Sequence, residues 1–252
     1  MFFYKIYLLY GVFGAKIGVK MIVSFKLKHL IGILLTLVFV LILGVTIYKA
    51  IKPTTHFLKP MQDILVVIDA GHGGIDGGSV GKTTGVYESE LNLKYAKNLK
   101  ERLEEMNITC YLTRQDENGL YDSGAKNLKR SDMKKRKEII ENISPKIVVS
   151  FHMNSFPLSS SRGAQTFYKK GSEQGLNLAN SIQKQLSTSL VSTPSAGKVG
   201  DFYIVNCTEI PSVLIECGFL SNAEDEKNLI SQNYQDKFCY LVMCGIVDYL
   251  NN

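Results

Sequence analysis

Several features that would take this chain out of the ordinary globular class are missing from it. Its 252 residues include only 6 prolines and no low-complexity tract, so the compositional signature of disorder is absent. No internal repeat is visible, which excludes a repeat array. The five cysteines, Cys110, Cys207, Cys217, Cys239 and Cys244, form no C-x-x-C pair and no even framework. Neither a zinc ribbon nor a disulfide scaffold is indicated, and the thiols are expected free, as small core residues. Acid is absent where base is concentrated. Residues 1–52 hold seven of the 29 Lys and Arg and no Asp or Glu, leaving 22 bases against 23 acids in the other 200 residues. The net charge of +6 therefore belongs to the N-terminus. The body is nearly neutral, and nucleic acid is not expected as a partner.

What is present begins with an apolar run. Nineteen residues from Leu30 to Tyr48 carry no charge, close to the ~20 that cross a bilayer core. A cleaved signal peptide fits less well, because its apolar stretch is ~7–15 residues and ends in small residues. Here the exit reads Thr46-Ile47-Tyr48-Lys49-Ala50, with no cysteine nearby to accept a lipid. Five lysines precede the run and only Lys49, Lys52 and Lys59 soon follow, so the positive-inside rule places the N-terminus in the cytoplasm and the body outside. The expected organisation is a cytoplasmic segment over 1–29, a transmembrane anchor over 30–48, a linker over 49–63 containing Pro53 and Pro60, and a folded domain over 64–252. Met21, followed by Lys26 and Lys28, is the more ordinary start for such an anchor, and the residues before it read as a mis-called leader.

Beyond the linker, strand-length apolar runs alternate with longer amphipathic stretches, the pattern of an α/β protein. Strands are expected at Ile64–Asp69, Ile108–Thr113, Lys146–His152, Ala164–Tyr168, Phe202–Val205 and Ser212–Glu216. Helices are expected near Ser89–Met106, Arg130–Asn142, Ser172–Ser189 and Tyr234–Leu250. The fold class is a single open, twisted, mostly parallel sheet with helices on both faces, preceded by the transmembrane helix. Leu91, Tyr95, Leu99 and Leu103 form one buried stripe, and Glu88, three residues before Leu91, shares its inward face.

Three of the apolar strands run into ionisable residues: ILVVID into Ala70-Gly71-His72, KIVVSF into His152, and SVLI into Glu216. Ligands in open α/β sheets bind beyond the carboxyl ends of the strands, so His72, His152 and Glu216 should share one crevice, with Glu88 joining them. Two imidazoles and a carboxylate are the protein ligands of a catalytic zinc site that keeps one position open. His72, Glu88 and His152 are the expected metal ligands for one Zn2+ per chain. Asp69 or Asp76 is expected to orient His72. Glu216 is then spare, as the acid–base group that hydrolysis needs. Each residue also has a plainer reading: a histidine satisfied structurally at a strand end, or a salt-bridged glutamate. The glycine-rich GHGGIDGG lacks the spacing and the Lys-Ser/Thr ending of a phosphate loop. Lys126, Lys129, Arg130, Lys134, Lys135, Arg136 and Lys137 crowd one stretch, most simply a solvated helix face, alternatively a surface for anionic polymer or lipid headgroups.

The motifs Val67-Ile68-Asp69-Ala70-Gly71-His72-Gly73-Gly74, Glu88-Ser89-Glu90-Leu91-Asn92-Leu93, Ser150-Phe151-His152-Met153-Asn154-Ser155 and Glu216-Cys217-Gly218-Phe219-Leu220-Ser221-Asn222 resemble the zinc-dependent N-acetylmuramoyl-L-alanine amidases. The resemblance runs from about Ile64 to Leu250. It implies hydrolysis of the amide between N-acetylmuramic acid and the L-alanine of the peptidoglycan stem peptide, with the metal ligands on His72, Glu88 and His152 and the catalytic glutamate on Glu216. Ala70 stands where the family often has proline, and Arg136 where it commonly has an arginine of structural role. Thr113-Arg114 with the loop and basic helix after it, and Tyr234-Gln235-Asp236-Lys237, are similar to the germination-specific spore-cortex branch. That implies a place in muramic-δ-lactam formation, in the space between the forespore membranes. Some members carry an inhibitory helix after the second histidine; only Phe156–Arg162 stands there in this chain, so control by an accessory protein is the expectation. The alternatives are a zinc peptidase cutting within the stem peptide and a non-catalytic wall-binding protein.

Overall fold

The computed structural model describes residues 29–46, 64–190, 194 and 196–252. The chain divides into two units, Met1–Phe57 and Leu58–Asn252. In the first, α1 (His29–Thr46) has a mean hydropathy of 2.6 and is long and apolar enough to cross a membrane. The expected cytoplasmic segment before His29, the last two positions of the expected span and the linker lie outside the described residues.

The second unit is a six-stranded sheet with helices on both faces. In chain order it comprises β1 (Leu65–Ala70), α2 (Glu88–Glu105), β2 (Thr109–Leu112), α3 (Leu128–Ile143), β3 (Ile147–Asn154), β4 (Gln165–Tyr168), α4 (Glu173–Ser189), β5 (Lys198–Val199), α5 (Tyr203–Asn206), β6 (Ser212–Phe219), α6 (Ala223–Leu229) and α7 (Gln232–Leu250). The strand order is β2-β1-β3-β6-β4-β5. Neighbours from β2 through β6 are parallel, and β4 runs antiparallel to β6, so the sheet is mostly parallel, as the alternating pattern implies.

The two-residue period of the strands sorts their side chains between the layers. Val66, Ile68, Val149, Phe151, Val213 and Ile215 pack in the larger core, with Leu91, Tyr95, Leu99 and Leu103 of α2 and with residues of α4 and α7. Val67, Val148 and Leu214 face the other way, against Ile140 of α3 and Ile204 and Val205 of α5. Burying an aliphatic side chain of this size contributes roughly 1.5–3 kcal/mol. On the α3 face the same period then carries the strands from apolar to polar residues: Val67 to Asp69, Val148 to Ser150 to His152, and Leu214 to Glu216. His152 and Glu216 are register partners on adjacent strands.

Two elements differ from the sequence expectation. Phe202–Val205 is not a strand; Phe202 caps α5, and within the helix Ile204 and Val205 are buried side by side between the exposed Tyr203 and Asn206. A strand would have separated them onto opposite faces. The edge position is taken instead by Lys198–Val199, paired with β4. Helix α6 is additional. It is capped by the Asn222 side chain, which accepts from the Glu224 and Asp225 amides, and has three acids in its first turn, the arrangement that a helix N-terminus favours. All five cysteines are free, with Cys110, Cys217 and Cys239 buried.

Candidate metal centre

β1 delivers the chain to a turn at Gly71 and His72. His72 has φ 60°, a left-handed conformation that costs a non-glycine residue about 1–2 kcal/mol and must be held by its surroundings. Two buried arginines hold it. Arg136 donates to the carbonyls of Ala70 at 2.8 Å and His72 at 2.6 Å, and Arg114 donates to those of Ala70 at 2.9 Å and Gly71 at 3.0 Å. Arg136 is held in turn by Asp69 and Asp132, each at 2.6 Å. Asp69 also accepts from Thr113 and Ser150. Burial would raise the Asp69 carboxyl, but Arg136 and the two hydroxyls bring it down to about 2.

Glu88, the first residue of α2, points inward as the stripe implies and is 3% exposed. Its Oε1 lies 3.1 Å from His72 Nε2 and 2.9 Å from His152 Nδ1. Backbone amides fix both oxygens: Met153 donates to Oε1 at 3.1 Å and Ser79 to Oε2 at 2.8 Å. The remaining His72 nitrogen, Nδ1, lies 3.0 Å from Asp76 Oδ1, so Asp76, rather than Asp69, orients that ring. Burial opposes ionisation of Glu88, yet the two imidazoles hold its carboxyl far below the usual range. Burial lowers His72, and Glu88 and Asp76 more than reverse this. One ligand atom from each of His72, Glu88 and His152 falls within 4.8 Å of the others. Ligand atoms about 2.1 Å from a tetrahedral ion lie roughly 3.4 Å apart, so the triangle fits a small divalent cation. Such an ion would take the place of the protons now shared between the carboxylate and the imidazoles.

Glu216 completes the group from β6. Its Oε2 is buried with no hydrogen-bond partner, an arrangement that costs stability and calls for an explanation. Burial pushes its carboxyl up to about 7; the neighbouring His152 and His72 oppose the rise and Glu88 adds to it. All four residues line one cleft of about 820 Å³, walled further by Tyr121, Lys129, Met133 and Phe202. A triangle of metal-ligating atoms beside a carboxyl that exchanges its proton near neutrality is an apparatus for hydrolysis.

Comparison with known proteins agrees with this geometry. Residues 66–248 match the N-acetylmuramoyl-L-alanine amidase family model. The chain belongs to the N-acetylmuramoyl-L-alanine amidase family. This amidase is 30% identical over 194 residues to the germination-specific N-acetylmuramoyl-L-alanine amidase of Bacillus subtilis, across 75% of this chain and 81% of that one. It superimposes with a TM-score of 0.71 and 37% identity on the CwlD amidase from Clostridioides difficile, solved in complex with the GerS lipoprotein, over 75% of this chain and 98% of that one. The CwlV catalytic domain from Bacillus (Paenibacillus) polymyxa gives a TM-score of 0.66 at 32% identity, over 74% and 98%. The amidase is CwlD-like within its family.

Sequence reasoning places His72, Glu88, His152 and Glu216 together, and the structure brings all four into the cleft. It misses Asn92, whose amide reaches Gly71 O at 3.1 Å and Glu88 Oε1 at 3.4 Å; the signal was its place four residues after Glu88 on the same helix face. The charge pattern groups Arg136 with a solvated basic face, whereas this side chain is 1% exposed, in keeping with the structural role that the resemblance implies. Two glycines are required by close approach. A Cβ on Gly71 would stand 2.3 Å from His152 Nε2, and one on Gly78, at φ +69, 2.5 Å from Glu88 Oε2. Gly71→Ala is therefore expected to displace the His152 ring and weaken any divalent-cation binding by about 10–100-fold, with thermal unfolding little changed. Competition against a chromogenic chelator measures it, and unaltered affinity would show that the ring has room to move.

Proposed function

We propose that this amidase hydrolyses the amide joining the lactyl group of N-acetylmuramic acid to L-alanine of the stem peptide, with one Zn2+ held by His72, Glu88 and His152. The observation that carries the reading is Glu216, a buried carboxyl with an unpartnered oxygen beside the His–Glu–His triangle. Zinc, when bound, supplies Lewis acidity at the amide carbonyl. Glu216 Oε2 accepts a proton from the attacking water and delivers it to the leaving nitrogen, which departs as the free amine of L-alanine while the lactyl carboxyl forms. Asp76 fixes the His72 ring, and the Ser79 and Met153 amides keep Glu88 from turning. The catalytic domain is 64–252. The segment 30–48 anchors it to the membrane with the domain outside, as the lysine bias supports.

The name of the Bacillus subtilis relative, a germination-specific amidase, supports a role in preparing spore cortex for germination, by the stem-peptide removal that precedes muramic-δ-lactam. The complex of the Clostridioides difficile relative with a lipoprotein supports an accessory protein here too. Among the described residues no helix lies between β3 and β4, which leaves no inhibitory helix at that point.

The test uses the full chain in detergent on defined muropeptides, with zinc and then with EDTA, products read by mass spectrometry. Intact stem peptides with free L-alanine amino termini are expected, lost on chelation and restored by zinc. Cleavage inside the stem would make this a zinc peptidase. No release from zinc-loaded protein would point to a required accessory protein or to a wall-binding role.

A further inference from the structure

Helix α3 begins against the usual electrostatics. Its first turn carries Lys129 and Arg130 and no acid, although the N-terminal end of a helix favours negative charge. The later bases of α3 are accounted for: Lys134 and Lys135 pair with Glu138, at 3.3 and 3.8 Å, and Lys137 pairs with Glu141 at 3.5 Å. Lys129 and Arg130 are exposed and join no salt bridge among the described residues. Both face a second hollow of about 470 Å³, walled by Asn127, Lys129, Arg130, Met133, Lys134 and Tyr203. Lys129 and Met133 are common to this hollow and to the catalytic cleft, so the two adjoin. Lys129 also exerts its charge on Asp76, the partner of His72.

If the scissile amide lies at the His–Glu–His triangle, the peptide beyond it must leave the cleft by some wall. An extended peptide advances about 3.3–3.6 Å per residue, so the second and third stem residues lie within roughly 7–11 Å of the cut. Those residues carry the free carboxylates of a stem peptide. A guanidinium binds a carboxylate bidentately, an ammonium adds a flexible point charge, and a half-exposed tyrosine offers a ring for the intervening backbone.

We propose that the hollow bounded by Lys129, Arg130, Lys134 and Tyr203 is a subsite for a free carboxylate on the second or third residue of the stem peptide. The proposal rests on the amidase reading and goes beyond it in assigning a specificity determinant. A base at each of two positions beside the catalytic cleft gives the substrate's anionic group a destination and explains why α3 begins with bases rather than acids.

The test compares matched muropeptides whose stem carboxylates are free, or amidated at the second residue, the third, or both, using the full chain in detergent. The free acid is expected to exceed its amide in kcat/KM by about threefold to fivefold, mostly through KM, as pairing between exposed charges allows. The position whose amidation removes the advantage identifies the residue read. In Lys129→Ala/Arg130→Ala the ratio falls to about one, and Arg130→Glu inverts it, whereas Lys137→Ala on the same helix leaves it unchanged. Equal treatment of acid and amide by the natural chain, or a ratio that survives the double substitution, overturns the subsite. Competition by polyglycerol phosphate that disappears in the double variant, while acid and amide are treated alike, overturns it in favour of a wall-polymer surface. The same acid-to-amide ratio is read in binding by the Glu216→Gln chain with fluorescent muropeptides. If the natural chain alone releases no stem peptide, that binding ratio decides the subsite independently of turnover.

Discussion

Glu216→Gln is expected to lower stem-peptide release by about 10³-fold while leaving the fold and the zinc affinity in place. General acid–base catalysis contributes ~10²–10⁴-fold, and no other carboxyl lining the cleft is free to replace it: Glu88 lies between the imidazoles, Asp76 against His72, and Asp69 and Asp132 pair with Arg136. The amide is isosteric with the acid but takes no proton from water near neutrality. Stability should move the other way. Oε2 of Glu216 is buried without a partner, so exchanging an ionisable group for a neutral one removes a desolvation cost, and the thermal midpoint should hold or rise. Muropeptide turnover, a zinc titration and a melting curve on one preparation check all three. Retention of more than about a tenth of the turnover would remove Glu216 from proton transfer.

Arg136→Met is expected to cost about 3–5 kcal/mol of folding stability at pH 8, because it leaves a buried carboxylate without its cation. Asp69 is 1% exposed and loses the ion pair now made at 2.6 Å. The pH dependence carries the sign. In the natural chain the Asp69 carboxyl sits at about 2, below its unfolded value of about 3.9. Its contribution is complete above about pH 4 and lost as the pH falls towards 2. Without Arg136 burial dominates, and the folded value rises above the unfolded one. Protonation then stabilises the variant as the pH falls, so the gap between the two proteins narrows from pH 8 to pH 5. Urea denaturation at several pH values measures this, and a constant gap would show that Asp69 is not the group left exposed to burial. The carbonyl of His72 loses a donor in the same variant, so zinc affinity should fall as well.

The part of this molecule written in local sequence is the part that follows strand and helix periods. ILVVID, KIVVSF and SVLI can be read as buried parallel strands because each is apolar on both faces. The residues that follow them, His72, His152 and Glu216, are then placed by topology alone. Glu88 was legible from the α2 stripe. The arginine scaffold was not legible from local pattern, where Arg136 stands in a run of bases, and the resemblance gave its structural role without its partners; only the tertiary fold sets Asp69, Asp132 and two carbonyls around it. Phe202–Val205 misled because four apolar residues in a row suit a strand as well as one helical turn. α6 left a signal in Asn222 and the acids behind it, hidden by its brevity.

The parallel arrangement of β1, β3 and β6 carries a consequence for how the enzyme comes into being. Parallel neighbours are joined by crossovers rather than tight hairpins; here His72 and His152 are separated by 80 positions and Glu216 by a further 64. No short stretch of chain contains a working centre, and contacts this distant in sequence form late, after loop-closure entropy has been overcome. Hydrolytic competence is thus an all-or-none property of the completed sheet. A chain still unfolded during its passage to the outside has no means of attacking wall material, and a divalent cation, if held by the assembled triangle, would pull the equilibrium towards the finished molecule.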